Sequence, residues 1–204
     1  MKLYYSPGSC ALGVHVLMEE IGAPFELERL NFAAREQFGD GYRAINPKSK
    51  VPALMRDDGT VLTEYQAISI FLALTHPEKR LIPLGAERQA RMMEALEYVV
   101  GTIHDKGFRR VFRPNQFSAN EADREAIKAE GLKVANEGFA LMEKSLAGKD
   151  WIVGDFSIAD PALFYVSYWQ AGRLGLGLPT NVQRHYERMM ARPSVRRAFK
   201  DEGL

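Results

Sequence analysis

Every strand signal of weight in this chain lies before residue 64, and beyond residue 86 the apolar residues recur only at helical spacing. A chain divided in this way predicts an α/β domain followed by an all-α domain. The stretch 78–85, closed off by Pro77 and containing Pro83, has no periodicity and reads as a linker. The expected domains are therefore 1–77 and 86–204.

Within the first part, Lys2–Tyr5 reads as a short apolar strand ending in a Ser6-Pro7-Gly8 turn. Ser9 then offers a hydroxyl cap to a helix whose apolar face is Leu12, Val14, Val16, Leu17 and Ile21, stopped by Gly22. Phe25–Leu30 alternates strictly and predicts a strand with one buried face; 31–46 is polar and predicts a loop with a short helical turn. Val51–Arg56 and Thr60–Thr63 predict a hairpin with its turn at Asp58-Gly59, and Glu64–Thr75 a helix stopped before Pro77. The order strand, helix, strand, strand, strand, helix predicts α/β layers with mixed strand directions.

In the second part, Ala90, Met93, Leu96, Val100 and Ile103 mark one long helix over 86–112, and 120–146 predicts another, capped by Ser118 or Asn120. Ser157 and Asp160 have the spacing of a capping box, with Phe156 ready to staple. The helix that follows, 158–172, is apolar on nearly every face and is expected to be buried. Two shorter helices, 181–191 and 194–200, close the sequence.

Cys10 is the chain's only cysteine, so there is no intrachain disulfide framework, and the composition suits a reducing compartment, the cytoplasm. It falls in the first turn of a predicted helix, where unpaired N–H groups and the positive end of the helix dipole converge. A thiol there is expected to have a lowered pKa and to be a better nucleophile, or to share its place with an anionic sulfur from a ligand. The formal net charge of +1 gives no strong field to attract nucleic acid or a membrane surface. No window is long and apolar enough to span a bilayer, and residues 1–20, with Glu19 and Glu20, do not form a signal peptide. Four scattered histidines and one cysteine predict no zinc site; His15, His76 and His185 read as structural or surface residues. The groups Arg109, Arg110, Arg113 and Arg192, Arg196, Arg197 read as solvated helix faces.

The stretches Lys2–Cys10, Asn46–Leu54 and Asp58–Glu64, with Ser157–Asp160 before a buried helix, resemble the cytosolic glutathione transferase family, most of all its bacterial beta class. The resemblance covers essentially the whole chain. It implies a thioredoxin-like glutathione-binding domain, an all-α domain, and a cleft at their border for a small apolar electrophile. It also implies a homodimer, and glutathione as co-substrate with no metal. By the same resemblance the Val51–Pro52 bond is cis and the Val51 backbone pairs with the cysteinyl backbone of glutathione. Glu64 takes the γ-glutamyl ammonium, and the Tyr65 backbone N–H the γ-glutamyl carboxylate, although a small residue is usual at that position. Arg35, helped by Lys50, meets the glycyl carboxylate. Cys10 and Ser9 serve the reacting sulfur. His104 matches the histidine of a His-Lys pair, but Asp105 separates it from Lys106, so either the lysine's role is lost or the helix bulges by one residue. Tyr168, Trp169, Phe112 and Phe117 are candidates for an apolar acceptor site.

Two chemistries are implied: conjugation of the glutathione thiolate to an electrophile, and thiol–disulfide exchange through Cys10. A non-catalytic ligand-binding or protein-interaction module is the alternative.

Overall fold

Strand β1, Lys2–Tyr5, buries three of its four residues because it has a neighbour on both sides. It pairs in parallel with β2, Glu26–Arg29, and antiparallel with β3, Ala53–Met55; β3 pairs antiparallel with β4, Val61–Thr63. The order is β2-β1-β3-β4, so the mixed directions expected from the sequence are realised. Leu3 stands opposite both Leu27 and Leu54, and Leu54 opposite Leu62, which gives the sheet a continuous leucine row. At the edge, β2 turns only Leu27 inward and exposes Glu26, Glu28 and Arg29.

The computed structural model describes residues 1–204, which divide into two units: Met1–Ile82 with Met189–Leu204, and Pro83–Arg188. In the first unit, helix α1, Ala11–Ile21, buries nine of its residues and ends on Gly22 in the left-handed region (φ 74°). A short α2, Asp40–Ile45, precedes β3, and α3, Tyr65–Thr75, follows β4.

In the second unit α4, Ala86–Glu97, runs on without a break through π-helical turns at Tyr98–Phe108 into α5, Arg109–Phe112. Helix α6, Arg124–Ser145, packs on the π segment. A Cβ on Gly138 would stand 2.4 Å from Ile103, so glycine is what lets these two backbones approach. Asn120 and Ser118 both act in the cap before α6: the Asn120 carbonyl accepts from Ala122 N–H at 3.2 Å, and Ser118 Oγ from Asn120 N–H at 3.1 Å. Helix α7, Ala159–Ser167, is buried along its whole length and passes into a second π stretch, Tyr168–Arg173. Half of the capping box forms: Asp160 reaches back to accept from the Ser157 N–H at 2.8 Å, while the Ser157 hydroxyl donates to Asp160 at 3.1 Å and the Asp160 N–H turns to the Ser157 backbone carbonyl. Helix α8 is Thr180–Met190.

The structure groups the last helix, α9 (Pro193–Glu202), with the first unit rather than with the helices before it. Its buried residues, Ser194, Val195, Ala198 and Glu202, form a narrow stripe that packs on α1. Arg192 grips Glu20 through two hydrogen bonds of 2.6 and 2.8 Å, and Arg197 pairs with Glu19. Arg192 and Arg197 thus clasp α1 instead of forming only a solvated face, while Arg196 is exposed. No helix is long and apolar enough to cross a membrane.

Candidate active site

The Ser6–Cys10 turn is held from inside. Gly8 takes φ 65°, and its N–H donates at 2.8 Å to Glu202, a carboxylate buried at the end of α9. Cys10 occupies the capping position of α1, and the Ser9 hydroxyl accepts from the Ala11 N–H at 3.3 Å. Ser9 therefore stands one residue before the capping position that the sequence assigned to it, and its hydroxyl still takes one of the free N–H groups.

The Cys10 thiol donates to the Val51 carbonyl at 3.4 Å, and the Val51–Pro52 bond is cis. Burial pushes this thiol up to about 12. The backbone N–H groups of Cys10 and Ala11 and the charge of Lys50 pull the other way, Glu64 raises it further, and burial prevails. The lowered pKa expected from helix placement is overturned: a helix end acidifies a thiol only where the thiolate stays solvated or well paired. The loop that presents Val51 is braced at the Lys50 carbonyl, which accepts from Tyr42 Oη at 2.6 Å and Asn46 Nδ2 at 2.8 Å. Tyr42 carried no sequence signal for this; its role depends on a contact made across the loop.

Glu64 caps α3 with a backbone at φ 73°, ψ 127°, a conformation that costs a non-glycine residue about 1–3 kcal/mol. Its exposed carboxylate accepts from Lys48 Nζ at 2.6 Å, and the same ammonium donates to Thr63 Oγ1 at 2.8 Å. Lys48 was missed from sequence, although it lies in the quoted Asn46–Leu54 stretch. Tyr65 is buried, and burial pushes its phenol well above the usual range. The ring so poorly suited to a ligand pocket is turned into the core, near enough to Cys10 for the two to interact electrostatically.

Ser9, Cys10, Lys50, Val51, Pro52, Glu64 and Tyr65 are thus neighbours in the first unit, with Lys50, Glu64 and Tyr65 all coupled to the thiol. Arg35 is exposed and left-handed (φ 59°), with its guanidinium 5.2 Å above the Phe38 ring.

In the second unit, His104 and Lys106 sit inside the π-helical run. Of the two readings left open by Asp105, the backbone adopts the bulge, and extends it well beyond one residue. His104 is half-buried, with Nδ1 3.1 Å from the Tyr165 hydroxyl and its ring edge-on to Trp169 at 4.8 Å. Lys106 is exposed, and its carbonyl accepts from Arg110 at 2.5 Å. Trp169 and Phe112 belong to one aromatic cluster with Phe108, while Phe117 lies apart beneath the guanidinium groups of Arg109 and Arg110. Those arginines stack on a ring as well as facing solvent. Tyr165, the partner of His104, was read only as part of a buried helix.

Comparison with known proteins gives consistent matches. The family model for the glutathione S-transferase N-terminal domain matches residues 7–75, and that for the C-terminal domain residues 71–193. The chain is 36% identical to glutathione S-transferase GstA of Escherichia coli O157:H7, covering 100% of both chains. Among solved structures, a glutathione transferase homologue from Sulfitobacter with bound glutathione superposes with a TM-score of 0.91 at 32% identity, covering 100% of this chain and 98% of that one. A bacterial beta-class glutathione S-transferase from Sphingomonas chungbukensis superposes at 0.87 and 32% identity, covering 100% of each.

Proposed function

Because this chain belongs to the glutathione S-transferase family and is a glutathione S-transferase, we propose that it conjugates the glutathione thiolate to small apolar electrophiles, with the neutral Cys10 thiol as hydrogen-bond donor to the reacting sulfur. The observation that carries this reading is the Cys10 thiol donating to Val51 beside a cis Val51–Pro52 bond, with burial holding its proton.

Glutathione lies along Val51 and pairs with its backbone, so the carbonyl that now accepts from Cys10 is taken by the peptide. The S–H is then released toward the ligand's sulfur. Glu64, which already gathers an ammonium from Lys48, takes the γ-glutamyl ammonium. The Tyr65 backbone lies at the head of α3 for the γ-glutamyl carboxylate. Arg35 and Lys50 meet the glycyl carboxylate. In the reaction the glutathione sulfur forms a bond to the electrophilic carbon and the leaving group departs with the electron pair. The S–H of Cys10 and the Ser9 hydroxyl offset the charge on the sulfur beforehand. His104, with Nδ1 beside the Tyr165 hydroxyl, and Lys106 keep the roles that the family resemblance gives them. Thiol–disulfide exchange through Cys10 is the slower route, because a protonated thiol is a poor nucleophile.

Tyr65, the departure that kept a non-catalytic module in view, hides its ring in the core and gives that alternative no support. We also place the enzyme in a reducing cytoplasm, as a homodimer.

The test is a conjugation assay with an aromatic halide. Cys10→Ala is expected to keep glutathione binding and lose roughly tenfold or more in kcat, whereas Cys10→Ser, which keeps a donor, loses less. Intact-mass analysis of the wild type with oxidised glutathione should show slow addition at neutral pH. Fast, complete addition there would overturn the donor role.

A further inference from the structure

We propose that His15, Glu19 and Asp201 form a binding site for one divalent first-row cation of the zinc type, clamping α9 to α1. His15 and Glu19 lie one turn apart on α1, and Asp201 projects from the last turn of α9. One ligand atom from each can be chosen so that all three lie within 4.8 Å of one another, and they would draw in by about an ångström or more to bind one ion through bonds of about 2 Å.

Acidic side chains near a histidine are common, and the histidine here makes the difference. His15 is fully buried, and its Nε2 has no hydrogen-bond partner. The nearest acceptor is Asp201 Oδ2, at 3.9 Å, too far for a hydrogen bond. Its other nitrogen, Nδ1, lies 3.0 Å from Glu202 Oε1. The second oxygen of Glu202 accepts from the Gly8 N–H at 2.8 Å. A carboxylate only accepts, so Nδ1 carries the proton and Nε2 presents its lone pair to two further carboxylates. A lone pair buried against negative charge calls for a cation. This is the carboxylate–histidine–metal arrangement, in which the outer carboxylate fixes the tautomer and makes the imidazole a stronger ligand. Tyr5 and Phe25 pack against the ring at 6.1 and 5.7 Å between centroids and hold its orientation.

Access and charge both fit. Glu19 and Asp201 line a surface hollow of about 570 Å³ together with Pro24, Phe25 and Arg197, so the two carboxylates are open to solvent while His15 lies behind them. Glu19, Asp201 and Glu202 bring three negative charges. Arg197, which donates to Glu19 Oε2, brings one positive charge against them. An imidazole and two carboxylates are ligands of the zinc, cobalt and nickel series rather than of calcium. The expectation of no metal site, drawn from scattered histidines, did not consider carboxylates brought in from the far end of the sequence.

The experiment uses the untagged full chain, stripped with a chelator and kept free of glutathione at neutral pH. Zn²⁺ and Co²⁺ are titrated by calorimetry and absorption. One ion per chain is expected to bind at micromolar metal, with cobalt showing ligand-field bands but no thiolate charge-transfer band. Zn²⁺ should raise Tm, as any ligand selective for the native state does. Asp201→Asn and Glu19→Gln, both at positions with solvent contact, should each weaken binding about tenfold or more and remove the metal-dependent rise in Tm. Cys10→Ser should bind as the wild type does. Three results overturn the site: no binding at sub-millimolar metal, binding unchanged in both carboxylate variants, or binding lost in Cys10→Ser.

Discussion

The Cys10 thiol keeps its proton because burial outweighs the backbone N–H groups and the Lys50 charge beside it, and this has a consequence in alkali. An unfolded cysteine titrates near 9.0 and the folded one at about 12. Between those values the native state holds a proton that the unfolded chain has released, so stability falls as pH rises from about 9 to 12 and is unaffected below. The urea midpoint of the wild type should therefore drop more steeply above pH 9 than that of Cys10→Ala. Alkylation of Cys10 by a neutral reagent should keep accelerating past pH 9 without levelling. A plateau below pH 8 would mean that the thiolate is stabilised after all. Glu64 is the second residue whose geometry is costly. Glu64→Gly should relieve the φ 73° backbone and stabilise the free protein by about 1 kcal/mol. It should also abolish the rise in melting temperature that millimolar glutathione gives the wild type. The exposed Lys48 pair is lost at little cost. Equal glutathione shifts in both proteins would remove Glu64 from the site.

Among the elements, the start of α7 is the most heavily braced. Asp160 is fully buried and accepts from the Ile152 N–H, the Ser157 N–H and hydroxyl, and His185 Nε2 at 3.1 Å. Asp160→Ala strands these donors, and the expected loss is about 3 kcal/mol, read as a lower urea midpoint with unchanged helix content at zero denaturant. Ser157→Ala, which removes one hydroxyl, should cost about 1 kcal/mol. This box was legible in four letters because its contacts are local. The hairpin at Asp58-Gly59 and the stop at Gly22 were legible for the same reason. The resemblance gave the cis bond. Three things stayed hidden. The π turns at Tyr98–Phe108 keep the apolar spacing of an ordinary helix and differ only in which carbonyl each N–H chooses. The neighbours that act on Cys10, the Val51 carbonyl and Tyr65, lie forty and more residues away. The pairing of Lys48 with Glu64 likewise joins two loops.

At the scale of the molecule, the homodimer proposed above should sediment at twice the 23.0 kDa chain at micromolar concentration. A monomer throughout the micromolar range would refute it. The grouping of α9 with the first unit also sets a timetable. On the ribosome, the sheet and α1 emerge first, yet Glu202, the partner of both Gly8 and His15, is translated only after the whole second unit has been made. Until then the turn that carries Cys10 lacks its inner anchor. The order of synthesis therefore places α9 after every other element that the Cys10 turn depends on.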